Sequence, residues 1–472
     1  MKKIIFILTI ISLSIIMTAC QNTAQEDSSS DAVTLSGDSE NTYTEFNKDA
    51  AFEETVLYDK NDIKITAARL EFLEYRAELD LIIENNSDKN LTFESDNRYN
   101  SVNGYMVRGG SMNCSLAAGE STEFTMNFGY HHIRCFGIYE IADIEIDIDI
   151  RDDEKNLLYN EKFQIKTSDY DSHDYTSDPF QAAVSDNSFL DEYGYSVIYS
   201  SDNILYDKDD VKVFSELLVK DKEGHYIFFT EVENRSEKKL FVGTQNVMLN
   251  GLLIEDILGP SIYANSGKNG ILVMEFSDLL DDNSWDVFSI KDIGSIEFDL
   301  NIINVNDHQQ RNTEKVKIII PDTEALFDGS GTEVYNDNNI RIISKKAVNE
   351  ASEVFSNRIH ILLLAENKNQ YDIDIHDTAA FINGYDMGTF LFSYTKVPAM
   401  RSAVIDGSFF EMEFEGGSIL TSEDIRNFEV TFEIMDSEKN IIDTPTIYIE
   451  YPEIKKSPAD TEEKVNPPVN FD

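Results

Sequence analysis

Apolar and polar residues alternate along most of this chain with a period of two, in short runs rich in Ile, Val, Phe and Tyr. In the clearest run, Ile144, Ile146, Ile148 and Ile150 interleave with Glu145, Asp147 and Asp149. A strand sends successive side chains to opposite faces, so this pattern predicts one face in a core and the other in water. Runs of the same kind lie at Ile296 to Ile302 and at Phe428 to Ile434. Helical periodicity is scarce. One short helix is expected before the last hairpin of each repeated unit, most clearly at Ser422-Glu423-Asp424-Ile425, where Thr421 or Ser422 caps the first turn.

The runs recur as an ordered set. Each set opens on a tyrosine, a polar turn and a strand: Tyr58-Asp59-Lys60-Asn61-Asp62-Ile63, Tyr206-Asp207-Lys208-Asp209-Asp210-Val211 and Tyr335-Asn336-Asp337-Asn338-Asn339-Ile340. An apolar strand then ends in Glu84-Asn85, Glu233-Asn234 and Glu366-Asn367. Next, an Asn-Gly pair sits between apolar residues, at Asn103-Gly104, Asn250-Gly251 and Asn383-Gly384. Both residues of such a pair tolerate the positive φ of a type I′ turn, which makes this a strong hairpin signal. The pairs stand 147 and then 133 residues apart. That period is the size of a domain and too long for a solenoid unit.

Many short alternating strands with turn signals between them read as an all-β fold of three tandem β-sandwiches, over 52–166, 195–321 and 333–452. The pattern resembles the immunoglobulin-like domains repeated in uncharacterised lipoproteins of Gram-positive bacteria. That resemblance implies a sandwich fold and carries no agreed activity. Polar stretches at 167–194 and 322–332 are expected to be linkers, and 453–472 a polar tail.

The start of the chain gives an address. Lys2 and Lys3 precede a largely apolar stretch from Ile4 to Met17, which is shorter than the roughly 20 residues a helix needs to cross a bilayer. Met17-Thr18-Ala19-Cys20 resembles the bacterial lipobox, with Met17 where Leu is commoner. The resemblance implies a signal peptide over 1–19, cleavage before Cys20 and a diacylglyceryl thioether on its sulfur. Residues 20–51, rich in Ser, Thr, Asn and acids, then form a flexible tether. The expected location is the outer face of the bacterial cytoplasmic membrane, with that lipid as the link to the bilayer.

Formal charge is -49, and without Lys2 and Lys3 it is -51. Such a field excludes nucleic acid as a partner and favours standing off from an anionic membrane surface. With Cys20 lipidated, Cys114 and Cys135 remain as a candidate disulfide in an oxidising setting.

Catalytic motifs are missing, and no cofactor is indicated: there is no Gly-x-Ser-x-Gly, His-Glu-x-x-His or phosphate-binding glycine loop. His131, His132 and Cys135 cluster locally but lack a fourth zinc ligand. The acidic turns at Asp59 and Asp62, or Asp207, Asp209 and Asp210, lack the glycine and distal glutamate of a calcium loop, and turn geometry accounts for them better. Asp152-Asp153 and Asp281-Asp282 read as solvated faces, and Trp285 is the sole tryptophan. The expected function is a non-catalytic binding or spacer module that meets an unknown envelope or extracellular ligand through loops. The alternatives are a calcium-binding surface protein and an envelope-polymer hydrolase whose acids converge from distant strands.

Overall fold

The computed structural model of the chain describes residues 45–279, 282–350, 358–388, 392, 394–410 and 424–451. The signal peptide, Cys20, most of the tether, the polar tail and Thr421 to Glu423 of the expected capped helix lie outside the described residues. Among the described residues no helix is long and apolar enough to cross a membrane.

The fold is all-β, a series of β-sandwiches. The first copy contains β1 (Thr55–Lys60), β2 (Ile63–Phe72), β3 (Arg76–Asn85), β4 (Leu91–Ser95), β5 (Ser101–Val102), β6 (Tyr105–Met106), β7 (Met112–Leu116) and β8 (Ser121–Gly129). After α1 (Tyr130–Arg134) come β9 (Asp143–Asp152) and β10 (Leu157–Lys166). Two helices follow, α2 (Pro179–Ser185) and α3 (Ser188–Tyr193).

The second copy has β11 (Ser196–Lys208), β12 (Val211–Lys220), β13 (Tyr226–Asn234), β14 (Leu240–Leu249), β15 (Leu252–Ala264) and β16 (Asn269–Glu275). Helices α4 (Phe276–Leu279) and α5 (Asp282–Phe288) then precede β17 (Ser295–Asn304) and β18 (Asp307–Ile319).

The third copy has β19 (Thr332–Asp337), β20 (Ile340–Glu350), β21 (Arg358–Asn367), β22 (Ile373–Ile382), β23 (Tyr385–Gly388) and β24 (Thr395–Val397). It ends with β25 (Arg401–Phe410), β26 (Asn427–Asp436), β27 (Ile441–Asp443) and β28 (Thr446–Glu450).

One sheet of each copy repeats the same order: β1-β2-β3-β8, β11-β12-β13-β16 and β19-β20-β21-β25. The facing sheet centres on the long alternating strand, β9, β17 or β26, and Ile144, Ile146, Ile148 and Ile150 are all fully buried.

Local chemistry sets these registers. Asn61-Asp62, Asp209-Asp210 and Asn338-Asn339 all take positive φ and join strands that pair on either side of them. They are therefore two-residue hairpin turns, and their Asp and Asn content serves backbone geometry. The three Asn-Gly pairs do the same, with φ of 49° to 54° at Asn and 83° or 84° at Gly. Their asparagines also fasten the next strand. Asn103 Oδ1 accepts from the amides of Ala142 and Asp143, Asn250 from Gly294 and Ser295, and Asn383 from Arg426 and Asn427.

The asparagine of each Glu-Asn pair is buried. Asn85 Nδ2 donates to the carbonyls of Lys89, Leu116 and Ala117, Asn234 to Lys238, Ala264 and Asn265, and Asn367 to Tyr371, Val397 and Pro398. Each thus ties three backbone carbonyls of two separate turns to one buried side chain.

Two expectations are corrected. The sheets do not stop at the borders of the copies: β6 runs parallel to β16, with Tyr105 opposite Asn269, and β15 parallel to β25, with Leu252 opposite Ser402. The polar face of β9 is consequently only partly in water, with Glu145 and Asp149 half-buried. Asp147 is buried against Lys239 of the second copy at 2.8 Å, and Glu145 pairs with Lys268 at 3.1 Å. The second correction concerns the span 167–194, which is not a loose linker. Phe180 and Phe189 are fully buried, and they join a core that reaches from the first copy to Leu217, Val219, Ile227 and Phe229 of the second. The reason is that α2 buries Phe180 and Ala183 behind an N-cap, since Asp178 Oδ1 accepts from the Gln181 amide and Pro179 begins the helix, while α3 buries Phe189 and Leu190.

Candidate functional site: a cleft between the first two copies

A cleft of about 530 Å³ opens where the first copy, the helical connection and the second copy meet. Three features of the fold build its walls. The Asn103-Gly104-Tyr105 hairpin lies beside the Gly267-Lys268-Asn269 turn because Asn269 N donates to Gly104 O at 2.9 Å. The stretch after α1 contributes Tyr139, Glu140 and Asp143, and Asn103 Nδ2 pins it by donating to Glu140 O. The connection contributes Tyr170, His173, Asp174 and Tyr175.

Gly137 lets the connection seat. Its φ is +71°, and a Cβ there would stand 2.2 Å from the Pro179 carbonyl oxygen, so no side chain fits.

Polar groups in the wall hold one another. Asp143 accepts from Tyr175 Oη at 3.0 Å and from Gln164 Nε2 at 2.6 Å. His173 Nδ1 lies 2.9 Å from Glu140 Oε1, and the His173 and Tyr175 rings meet edge-on at 4.6 Å. Burial, then the Asp143 carboxylate, raises the Tyr175 phenol well above its ordinary value. Tyr105 is raised by burial and by Asp178 and Glu231. Asp174 is held low by the Thr176 hydroxyl and backbone amides. The acids Glu45, Glu140, Asp143 and Asp174 outnumber Lys268 and His173 here. The cleft therefore combines tyrosine rings with an acidic polar rim, which suits hydroxyl groups and positive charge.

Near Tyr105, Glu231 is buried and hydrogen-bonded to Asp178, while Gln181 Nε2 donates to it at 2.5 Å and to Ser215 Oγ at 2.6 Å. Burial raises the Glu231 carboxyl, and Asp178 raises it further. Two carboxyls in hydrogen-bond contact do not flank a bond at the roughly 5 Å or more that glycoside hydrolysis requires.

The residues singled out in the sequence fall elsewhere. Cys20 lies outside the described residues. No bond between Cys114 and Cys135 is drawn in the structure, where Cys114 is buried and Cys135 half-buried. Cys114 is fixed on β7 opposite Phe93, whereas Cys135 follows α1 with its Sγ donating to His132 O at 3.1 Å. Burial pushes the Cys135 thiol up to about 12.

His131 and His132 stack edge-on at 5.6 Å rather than converging with Cys135 on one point, and burial lowers His132. Among the described residues, no group of three or more His, Cys, Asp or Glu side chains is placed to hold a metal ion. Asp152 caps the β9–β10 turn by accepting from the amides of Glu154 and Asn156. Asp281 and the side chain of Asp282 lie outside the described residues. Trp285 is half-buried and stacks on Tyr226 at 6.1 Å.

Sequence reasoning missed the cleft because its walls come from segments far apart in the chain. The available signal was Asp178-Pro179 followed by apolar residues at helical spacing, which marks a docked helix rather than a linker.

No family model matches the chain, and no curated protein matches it. Among solved structures, one similar chain belongs to work titled "Structural insight into host cell surface retention of a 1.5-MDa bacterial ice-binding adhesin". It is 7% identical, with 80% of this chain and 90% of that chain covered, and its TM-score of 0.13 carries no argument.

Proposed function

We propose that this protein is a non-catalytic binding module held at a bacterial surface by a lipid on Cys20, and that the cleft between its first two copies takes the ligand. One observation carries the reading: the cleft lies where two sandwiches are locked together, and loops unlike those of the other copies line it. A repeated scaffold that carries an individual cleft at one joint fits a division of labour in which sheets position and loops recognise.

The ligand class follows from the wall. Tyrosine rings at 170 and 175 and the carboxylates of Glu140 and Asp143 suit a hydroxyl-rich molecule bearing an amine, such as a fragment of an amino-sugar polymer. Calorimetric titration of the purified full chain with glucosamine oligomers tests this. Binding is expected to weaken at least about tenfold in Asp143→Asn, because the anionic partner of the amine is lost. No binding, or equal binding by both forms, refutes the site.

The anchor has its own test. Cys20→Ala is expected to move the protein from the membrane fraction to the medium, and an unchanged membrane fraction removes the lipid from the proposal.

A further inference from the structure

The two junctions between copies use the same parts. In each, the residue after an Asn-Gly pair pairs in parallel with the first residues of the next copy's edge strand: Tyr105 with Asn269, and Leu252 with Ser402. In each, the basic residue just before that edge strand's contact reaches back to a glutamate on the preceding copy's central strand. Lys268 meets Glu145 at 3.1 Å, and Arg401 meets Glu297 at 3.1 Å. The glutamates are equivalent by register, since each follows the residue opposite the one preceding Asn-Gly: Ile144 faces Val102, and Ile296 faces Leu249.

The third copy carries the same half-junction. Phe428 faces Ile382, so Glu429 stands where Glu145 and Glu297 stand. Among the described residues β23 pairs with β22 alone, and Glu429 is exposed where Glu297 is buried.

The first copy's outer end does not supply the complement. Ser121 faces Glu84 as Asn269 faces Glu233 and Ser402 faces Glu366, so the residue before it, Glu120, occupies the place of Lys268 and Arg401. Asn90 likewise stands where the second copy has Lys239, five residues past the buried asparagine of the Glu-Asn pair. Glu120 against Glu429 would set like charges together at an edge where the internal junctions set opposite ones.

From this we infer that the β23 edge with Glu429 is a docking end for a β-sheet partner whose edge strand is led by a lysine or arginine, and that Glu120 bars a second copy of this chain from the place. Strand addition supplies the backbone pairing, and the basic residue supplies the selection.

Charge exchange on the full chain tests this, with the chain itself as probe. By sedimentation, the unaltered protein is expected to stay monomeric. Glu120→Lys alone, or Glu429→Lys alone, restores an opposite pair and is expected to tighten head-to-tail association about tenfold or more. The double exchange Glu120→Lys with Glu429→Lys sets two lysines together and is expected to return to monomer. Glu120→Gln, which keeps an acceptor for the Ala117 amide that Glu120 now holds at 3.0 Å, is the folding control and is expected to remain monomeric.

Association of the unaltered chain overturns the bar against a second copy. Monomeric behaviour of both single exchanges, with melting unchanged, overturns the docking end; it is also the outcome if the chain's own residues after 451 cover β23.

Discussion

Copies one and two meet through one parallel ladder pair, Tyr105 with Asn269, whereas copies two and three meet through two, Leu252 with Ser402 and Leu253 with Ala403. The space beside the first pair is filled by an inserted helical connection and leaves a polar cleft. The space beside the second is filled by a separate apolar cluster of Leu252, Phe288, Ile290, Ile343, Val348, Leu362 and Leu364. One docking scheme therefore yields a wet joint and a dry one. The difference arises from what lies between the strands: aromatic helices and acids at the first, aliphatic side chains and Phe288 at the second. The proposed ligand is assigned to the wet joint because a packed apolar cluster offers neither room nor polar partners.

The largest expected effect breaks each joint from inside. Phe180→Ala and Phe288→Ala each remove a fully buried ring, and each is expected to cost about 3–5 kcal/mol in denaturant unfolding. They should differ in where the chain opens. Limited proteolysis is expected to spare 167–194 in the unaltered protein and in Phe288→Ala, and to cut there in Phe180→Ala. Early cutting of the unaltered protein in that span would mean that the helices are not docked and that the cleft has no wall on that side.

These joints also mark what could be read from the sequence. Strand runs and turns were legible because each is a local pattern: alternation at Ile144 to Ile150, and paired positive-φ residues at Asn103-Gly104 and Asn61-Asp62. Asp147 was misread because alternation tells which residues share a face but not what covers it, and Lys239, its cover, lies in another copy. The span 167–194 was misread because its first half is polar and its second half amphipathic, and composition averages the two. For the cleft, His173 and Glu140, or Tyr175 and Asp143, are each more than 30 residues apart and meet through tertiary packing alone. The disulfide expectation had a related weakness. Cysteine count and compartment do not place side chains, and Cys114 is held on a strand while Cys135 turns toward its own helix.

The smallest expected effect sharpens the comparison through pH. Burial, with Asp178 adding to it, raises the Glu231 carboxyl at the wet joint. In contrast, Glu297 at the dry joint is lowered: burial opposes ionisation there, but Lys317 and Arg401 outweigh it. A raised acid keeps its proton in the folded chain over a range where the unfolded chain has lost it. Unfolding then releases a proton, so stability falls as pH rises from the unfolded glutamate value of about 4.3 through the raised folded value. For Glu297 the sign reverses: its contribution is present above the unfolded value and is lost as pH falls through the lowered one. Glu231→Gln keeps the acceptor for Gln181 and supplies a donor to Asp178, while removing the titration. Unfolding free energies measured between pH 5 and pH 8 are therefore expected to fall less in Glu231→Gln than in the unaltered chain. Glu297→Gln is expected to leave that span unchanged in slope and to flatten the decline below pH 4 instead. Parallel pH curves for Glu231→Gln and the unaltered chain would show that Glu231 ionises freely, and the pairing of Glu231 with Asp178 would then be no part of what sets the first joint apart from the second.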